Sequence, residues 1–225
     1  MLQDNDLLPP TEKQLPSLMD ALSKPLDPKR AAQVGLSPYL SWARWSMVSP
    51  DMQESLTKFY NNRDKFLVKR KGAFYYGSSS VGKSAGVALL AAALTNCGYS
   101  CLMISINRLL ESFLKRDTMY TESVSLWDRA LQVHFLIIDD LGKEADTVAV
   151  RATIQRIIEE RLLTNGTYAS TIITSNLDFP RGDYSMIERR YGENFATKLT
   201  RDFVWRELRG DPRSDALQTF KRELE

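Results

Sequence analysis

A chain of 225 residues is long enough for one sizeable hydrophobic core with a small appendage. Its 30 Lys and Arg against 28 Asp and Glu leave a net charge of +2, which gives no global sign of nucleic-acid or membrane binding, so any basic patch must be local. Two cysteines, Cys97 and Cys101, and a single histidine fit no common zinc pattern and read as core or surface thiols. The first residues, Met1 to Asp6, are acidic and carry no long apolar run, so neither a signal peptide nor a membrane anchor is expected there. A bacterial or phage-infected cytoplasm is the expected compartment.

Residues 1–48 hold Pro9, Pro10, Pro16, Pro25, Pro28 and Pro38, six of the nine prolines, which argues against long continuous helices. Leu15, Leu18, Met19 and Leu22 are spaced for one short amphipathic helix, and Trp42, Trp45 and Met47 form an apolar cluster. This arm either pads the core or docks a partner protein, since aromatic anchors are frequent at interfaces. The main domain is taken as residues 49–225. It opens with Ser49-Pro50, an N-cap followed by proline at the first helical position. Met52, Leu56, Phe59 and Tyr60 then give one apolar helical face, and the basic run Lys65 to Lys71 leads into an apolar strand, Ala73 to Tyr76.

The next eight residues, Gly77-Ser78-Ser79-Ser80-Val81-Gly82-Lys83-Ser84, read as a phosphate-binding loop, followed by a small-residue helix from Ala85 to Ala93. Strand, loop and helix in that order aim the loop's N–H groups and the helix N-terminus at one spot, where fixed partial positive charge meets phosphate oxygens. The two glycines permit the tight turn and the close approach of backbone to ligand. In this reading Lys83 reaches the β- and γ-phosphates of ATP and the Ser84 hydroxyl ligates Mg²⁺.

Further on, Ser100 to Ile106 predicts a second strand, and Leu109, Leu110, Phe113 and Leu114 the face of a helix. Lys115 to Tyr120 breaks that pattern as a charged surface loop. Phe135 to Ile138 is a continuous apolar run, as expected of a central parallel strand covered on both faces, and it ends in Asp139-Asp140. Val150, Ile154, Ile157, Ile158 and Leu162 recur at helical spacing up to Asn165-Gly166, and Ser170 to Thr174 predicts a strand that ends at Ser175-Asn176. A mixed helical pattern runs from Met186 to Leu199, and Phe203-Val204-Trp205 predicts a last short strand.

Alternating strands and helices imply an α/β class with a parallel sheet, whose ligands sit at the carboxyl ends of strands. The three motifs all fall at such ends. Phosphoryl transfer to water needs a held triphosphate, neutralised charge and a water aimed in line. Asp139 suits the Mg²⁺-holding carboxylate, Asp140 is placed to orient or deprotonate the attacking water, and Asn176 on the neighbouring strand hydrogen-bonds that water or the γ-phosphate.

Together, Gly77–Ser84, the stretch Leu136 to Glu144 containing Asp-Asp-Leu-Gly-Lys-Glu, and Thr171 to Leu177 resemble the AAA+ ATPases of the DnaC/IstB group. Glu188-Arg189-Arg190-Tyr191-Gly192-Glu193 through Leu199, and Arg209 to Arg213, resemble the group's tail, so that the resemblance covers roughly residues 50–215. The resemblance implies a P-loop AAA+ core, with Lys83 and Ser84 in Walker A, Asp139 and Asp140 in Walker B, Asn176 as sensor 1 and Arg213 acting like a sensor 2. The chain runs only a short way past Arg213, so no C-terminal helical lid is expected, as in the group. It implies an ATP-dependent loader of a hexameric replicative helicase that self-associates in its ATP state and contacts single-stranded DNA, or an IstB-like helper of transposition acting on duplex DNA. A non-hydrolysing nucleotide-sensing adaptor is the third reading and a small-molecule kinase the main enzyme rival. Where the group usually reads Ser-Arg-Leu, this chain has Thr197-Lys198-Leu199, which keeps the charge but loses the planar fork of an arginine finger. Arg189, Arg190 and Arg201 stand near enough in sequence to substitute. Arg108, Lys115, Arg116 and Tyr120 fall where loaders carry an element that contacts single-stranded DNA, and cations with an aromatic can track phosphates and stack a base.

Overall fold

The computed structural model describes residues 16–38, 40, 43–79, 81–115, 126–163, 168–177 and 183–209, with backbone only at 114 and 115. Five strands form one parallel sheet: β1 (Gly72–Gly77), β2 (Cys101–Ser105), β3 (Phe135–Leu141), β4 (Ser170–Ser175) and β5 (Phe203–Leu208), in the order β2-β3-β4-β1-β5. Every residue of β1 and β4, and every residue of β3 but Asp140, is buried, because successive side chains enter opposite, equally covered faces. Ala73, Tyr75, Met103, Phe135, Ile137 and Ile172 face one core with α1 (Leu18–Leu22), α2 (Pro28–Val34), α3 (Pro50–Asn61) and α5 (Lys83–Asn96). Phe74, Tyr76, Leu102, Ile104, Leu136, Ile138 and Ile173 face a second core with α6 (Ile106–Lys115), α7 (Leu126–Gln132), α8 (Val148–Leu163), α9 (Ser185–Tyr191) and α10 (Glu193–Asp202).

The arm is built as its prolines require, from short pieces. Ser17 caps α1 by accepting the Asp20 N–H, Asp27 caps α2 by accepting that of Arg30, and Pro28 stands at the first position of α2. Leu18, Ala21, Val34 and Val48 join the first core, and Trp45, in a 3₁₀ turn at Trp45–Met47, packs partly against it. The apolar cluster expected around Met47 is looser than its sequence suggests: Met47 is about half exposed, and Trp42 lies outside the described residues. The face of α3 forms as expected, with Met52, Leu56, Phe59 and Tyr60 buried. Ser49 occupies the N-cap position but makes no capping bond, its hydroxyl being buried without a partner among the described residues.

Three short helices depart from the sequence reading: α2, α7 and α4 (Arg63–Val68), the last formed by part of the basic run. The single helical pattern from Met186 to Leu199 is two helices, because Gly192 at φ +88° ends α9 and opens α10. Lys115 ends α6 rather than opening a loop, and the stop expected at Asn165-Gly166 falls outside the described residues. Among the described residues no helix is long and apolar enough to cross a membrane.

One buried cation ties the second core together. Arg161 on α8, 2% exposed, donates to the carbonyls of Ala130 and Leu131 in the last turn of α7, to those of Val133 and His134 just after it, and to Ser170 O and Thr171 Oγ1 on β4. It satisfies carbonyls that the end of a helix leaves without intrahelical partners. Arg161→Met strands several buried acceptors at once and is expected to cost about 3–5 kcal/mol in urea unfolding.

Candidate functional site at the carboxyl end of the sheet

Strand order places the ends of β3, β4 and β1 side by side, so the loops after β1 and β3 flank the end of β4. Gly77 ends β1 with φ +126° and Gly82 precedes α5 with φ +81°. A Cβ at Gly77 would lie 2.3 Å from Leu208 O, and one at Gly82 would lie 2.4 Å from Met47 O, so both positions are closed to side chains by neighbouring backbone as well as by conformation. Val81 is fully buried and anchors the loop in the first core, while Ser78 and Ser79 are exposed; Ser80 lies outside the described residues.

Lys83, 6% exposed, curls back so that Nζ donates to Gly77 O at 2.9 Å and Ser78 O at 2.6 Å. Burial pushes its ammonium down to about 8, against the pull of Asp140 and Asp139. Ser84 Oγ donates to Asp139 Oδ1 at 3.0 Å, and Thr174 Oγ1 donates to the same oxygen. Burial raises the Asp139 carboxyl above the usual range, Asp140 raises it further, and the bonds from Thr174 and Ser84 oppose the rise.

The two carboxylates sit on a β-bulge. Ile138 pairs with Ile173 and Leu141 with Ser175, so Asp139 and Asp140 together oppose Thr174 alone. Asp140 takes φ +66°, a left-handed conformation costly for a side-chain-bearing residue, and its N–H donates to Thr174 Oγ1 at 3.0 Å. Its carboxylate turns outward, where Asn176 Nδ2 donates to Oδ1 at 3.2 Å and Lys143 Nζ to Oδ2 at 2.8 Å. Just beyond, Glu144 is buried, with its carboxylate held by the Gly142 N–H, Arg190 and Tyr191.

The structure thus brings Gly77, Gly82, Lys83, Ser84, Asp139, Asp140 and Asn176 to one end of the sheet. Two groups there were missed by the sequence reading as site residues: Thr174, which touches both aspartates, and Lys143, the ion partner of Asp140. The Thr-Ser-Asn end of β4 was the available signal for the first.

Other candidates lie elsewhere. Lys198 on α10 pairs with Glu159 on α8. Arg201 pairs with its neighbour Asp202, Arg190 is turned onto Glu144, and Arg189 reaches the Ser185 carbonyl and hydroxyl of its own helix. Arg108 is exposed in the first turn of α6, just beyond Ser105, which is in register with Asp139. Lys115 is described by its backbone alone, and Arg116, Tyr120 and Arg213 lie outside the described residues.

The donor set suits a hard cation shared with a phosphate ligand: a hydroxyl at Ser84 beside a buried carboxylate at Asp139, with Asp140 next to it. Among the described residues no three His, Cys, Asp or Glu cluster as a self-sufficient metal cage, which a Mg²⁺ held largely by phosphates and water does not need.

No protein-family model matches the chain, and no curated protein sequence matches it. Solved structures do. The DnaC helicase loader is 22% identical with a TM-score of 0.60, over 77% of this chain and 100% of that one. DnaI is 21% identical with a TM-score of 0.59, over 79% and 93%. AMPPCP-bound DnaA from Aquifex aeolicus is 15% identical with a TM-score of 0.52, over 71% and 46%. At these identities what is shared is the fold, a five-stranded parallel α/β sheet flanked by helices, as the sequence led one to expect.

Thr174→Val keeps the side-chain shape and removes the hydroxyl that serves both aspartates. It is expected to destabilise the chain by about 1–3 kcal/mol. The loss should be larger at pH 7 than at pH 4, because the hydroxyl donates to the ionised form of Asp139, and urea unfolding at the two pH values measures it.

Proposed function

We propose that this chain is an ATPase that loads a hexameric replicative helicase onto single-stranded DNA, with ATP binding and hydrolysis switching its grip on both. One observation carries the reading: a phosphate-loop lysine, a Ser84–Asp139 pair and an Asn176–Asp140 pair converge at one sheet end, on a fold shared over the full length of a helicase loader.

In this reading the N–H groups of Gly77 to Ser84 cradle the phosphates, and Lys83 exchanges its two carbonyl partners for β- and γ-phosphate oxygens. Ser84 and Asp139 would hold Mg²⁺, which supplies charge neutralisation and polarises the transferring phosphoryl group. Asp140 orients or deprotonates the attacking water, positioned by Asn176. Arg213 is kept as the proposed sensor-2 arginine.

Lys198 lacks the arginine fork and is occupied by Glu159, so turnover by the chain alone is slow and a partner supplies the missing stimulus. The same pairing is the one observation that favours the adaptor reading, in which ATP binds and is not turned over. Self-association in the ATP state brings a neighbour's α9–α10 cations towards the nucleotide. Single-stranded DNA is contacted by Arg108, Lys115, Arg116 and Tyr120, of which Arg108 stands at the same sheet end as the site.

The arm, residues 1–48, is the proposed helicase-docking segment of an ATPase domain spanning residues 49–225. Its described part is stapled to the helix that begins at Lys83: Asn96 Nδ2 donates to Ala21 O and Lys24 O, and Arg30 Nη2 to Thr95 O. That packing gives a direct mechanical route between docking and the phosphate loop.

Lys83→Ala is expected to abolish binding of a fluorescent ATP analogue, whereas Asp140→Asn keeps binding and loses turnover; normal hydrolysis by Asp140→Asn contradicts the base assignment. A phosphate ligand needs the Lys83 ammonium, so nucleotide affinity should fall by about tenfold from pH 7 to pH 9 as a group titrating near 8 loses its proton. Size-exclusion chromatography with the host's hexameric helicase, with and without an ATP analogue, tests the partner. Co-elution supports the loader reading, and separation in every nucleotide state overturns it in favour of duplex-DNA binding as a transposition helper.

A further inference from the structure

The segment after β3 is held by a node that none of the proposed chemical roles uses. Glu144 has a side chain 1% exposed, and its carboxylate is nonetheless fully engaged. Oε2 accepts the Gly142 N–H at 2.7 Å. Oε1 accepts Arg190 Nε at 3.2 Å, Arg190 Nη2 at 3.1 Å and the Tyr191 hydroxyl. Arg190 Nη2 also donates to Gly142 O at 3.1 Å and to Glu144 O at 2.8 Å. One guanidinium on α9 therefore grips both backbone and side chain of the turn that follows Asp140.

That turn needs gripping. Asp140 sits on a bulge at φ +66°, and Gly142 follows at φ +103°. Residues in such conformations persist only where the surroundings over-determine them. Thr174 fixes the turn from the strand side through the Asp140 N–H, and Ser175 Oγ donates to Leu141 O. The Arg190–Glu144–Tyr191 node supplies the opposite anchor, and a planar fork that meets a carboxylate and two carbonyls at once is a function lysine cannot reproduce.

We infer that Arg190 is a positioning residue that acts within its own chain, holding the turn 141–144 against α9 and thereby fixing the direction in which the Asp140 carboxylate points. The inference rests on the proposed ATPase reading, in which Asp140 aims the attacking water. It excludes Arg190 from reaching a neighbouring subunit's nucleotide, because its guanidinium is already committed to Glu144 and to two carbonyls. Tyr191 supports the same carboxylate, and burial together with the facing Glu144 holds its phenol well above the usual range, as a permanent donor.

The experiment uses the full chain with Arg190→Lys, Arg190→Met and Tyr191→Phe, each checked for unchanged secondary structure. It reads steady-state ATP hydrolysis together with amide hydrogen exchange over residues 140–144. Arg190→Met is expected to lower kcat by about 10–100-fold with KM within about twofold, as loss of a supporting partner does. Arg190→Lys should recover only part of the loss, Tyr191→Phe should lose less than either, and exchange at 140–144 should accelerate in the order of the kcat losses. Unchanged exchange at 140–144 in Arg190→Met overturns the inference whatever the activity, and so does a KM effect with kcat preserved. Mixing Arg190→Met with the nucleotide-binding-defective Lys83→Ala gives a further discrimination: restored turnover would show Arg190 acting across subunits and overturn the inference, whereas no restoration supports it. If the unaltered chain hydrolyses no ATP with DNA and helicase present, the ATPase reading fails by itself, and the exchange result still decides whether Arg190 holds the turn.

Discussion

Ser84, Asp139 and Thr174 form one hydrogen-bonded chain that joins α5, β3 and β4 at the carboxyl end of the sheet. Its middle member is a buried carboxylate, which is stable as an anion only while hydroxyls or a cation face it. Thr174 does more than solvate that charge. By accepting the Asp140 N–H it also pins the extra residue of the bulge, so that one side chain determines both the place of Asp139 beside the phosphate loop and the outward turn of Asp140. The chemistry proposed for the two aspartates, one inward to a cation and one outward to water, follows from that single backbone irregularity.

The bulge would be fragile if only β4 held it. The second support comes from the far side, where α9 closes on the turn through Arg190, and α9 and α10 pack on the second core through Ile187, Tyr191, Phe195 and Leu199. The phosphate loop has its own supports on the opposite face: Val81 in the first core, and Met47 and Val48 lying against Gly82. Each half of the site is thus braced by a different layer of helices, and only the sheet ends are shared.

Much of this arrangement was legible before the structure. The phosphate loop is a contiguous motif whose context, an apolar strand and a small-residue helix, is local, and the parallel strands announce themselves by unbroken apolar runs. The short helices α2, α4 and α7 escape the sequence pattern, because six or seven residues carry too few turns for a periodic signal; the Asp27-Pro28 start of α2 and the Gly35 that ends it were the cues available. The bulge was hidden for a different reason. It exists only relative to β4, 34 residues later, and no local propensity records a strand's register against its neighbour. Likewise the charge of Arg190 was visible, but whether it faced solvent, a neighbour or Glu144, 46 residues earlier, depended on how α9 packs.

The proposed chemistry requires this sheet end to hold ATP with Mg²⁺ through the phosphate loop, Ser84 and Asp139 of a single chain. Calorimetric titration of the full chain with a non-hydrolysable ATP analogue, in Mg²⁺ and again with the cation chelated, tests it most directly. Saturable binding of one nucleotide per chain that weakens when Mg²⁺ is removed is expected. Absence of binding in Mg²⁺, or binding indifferent to both the cation and the substitution Ser84→Ala, would contradict it.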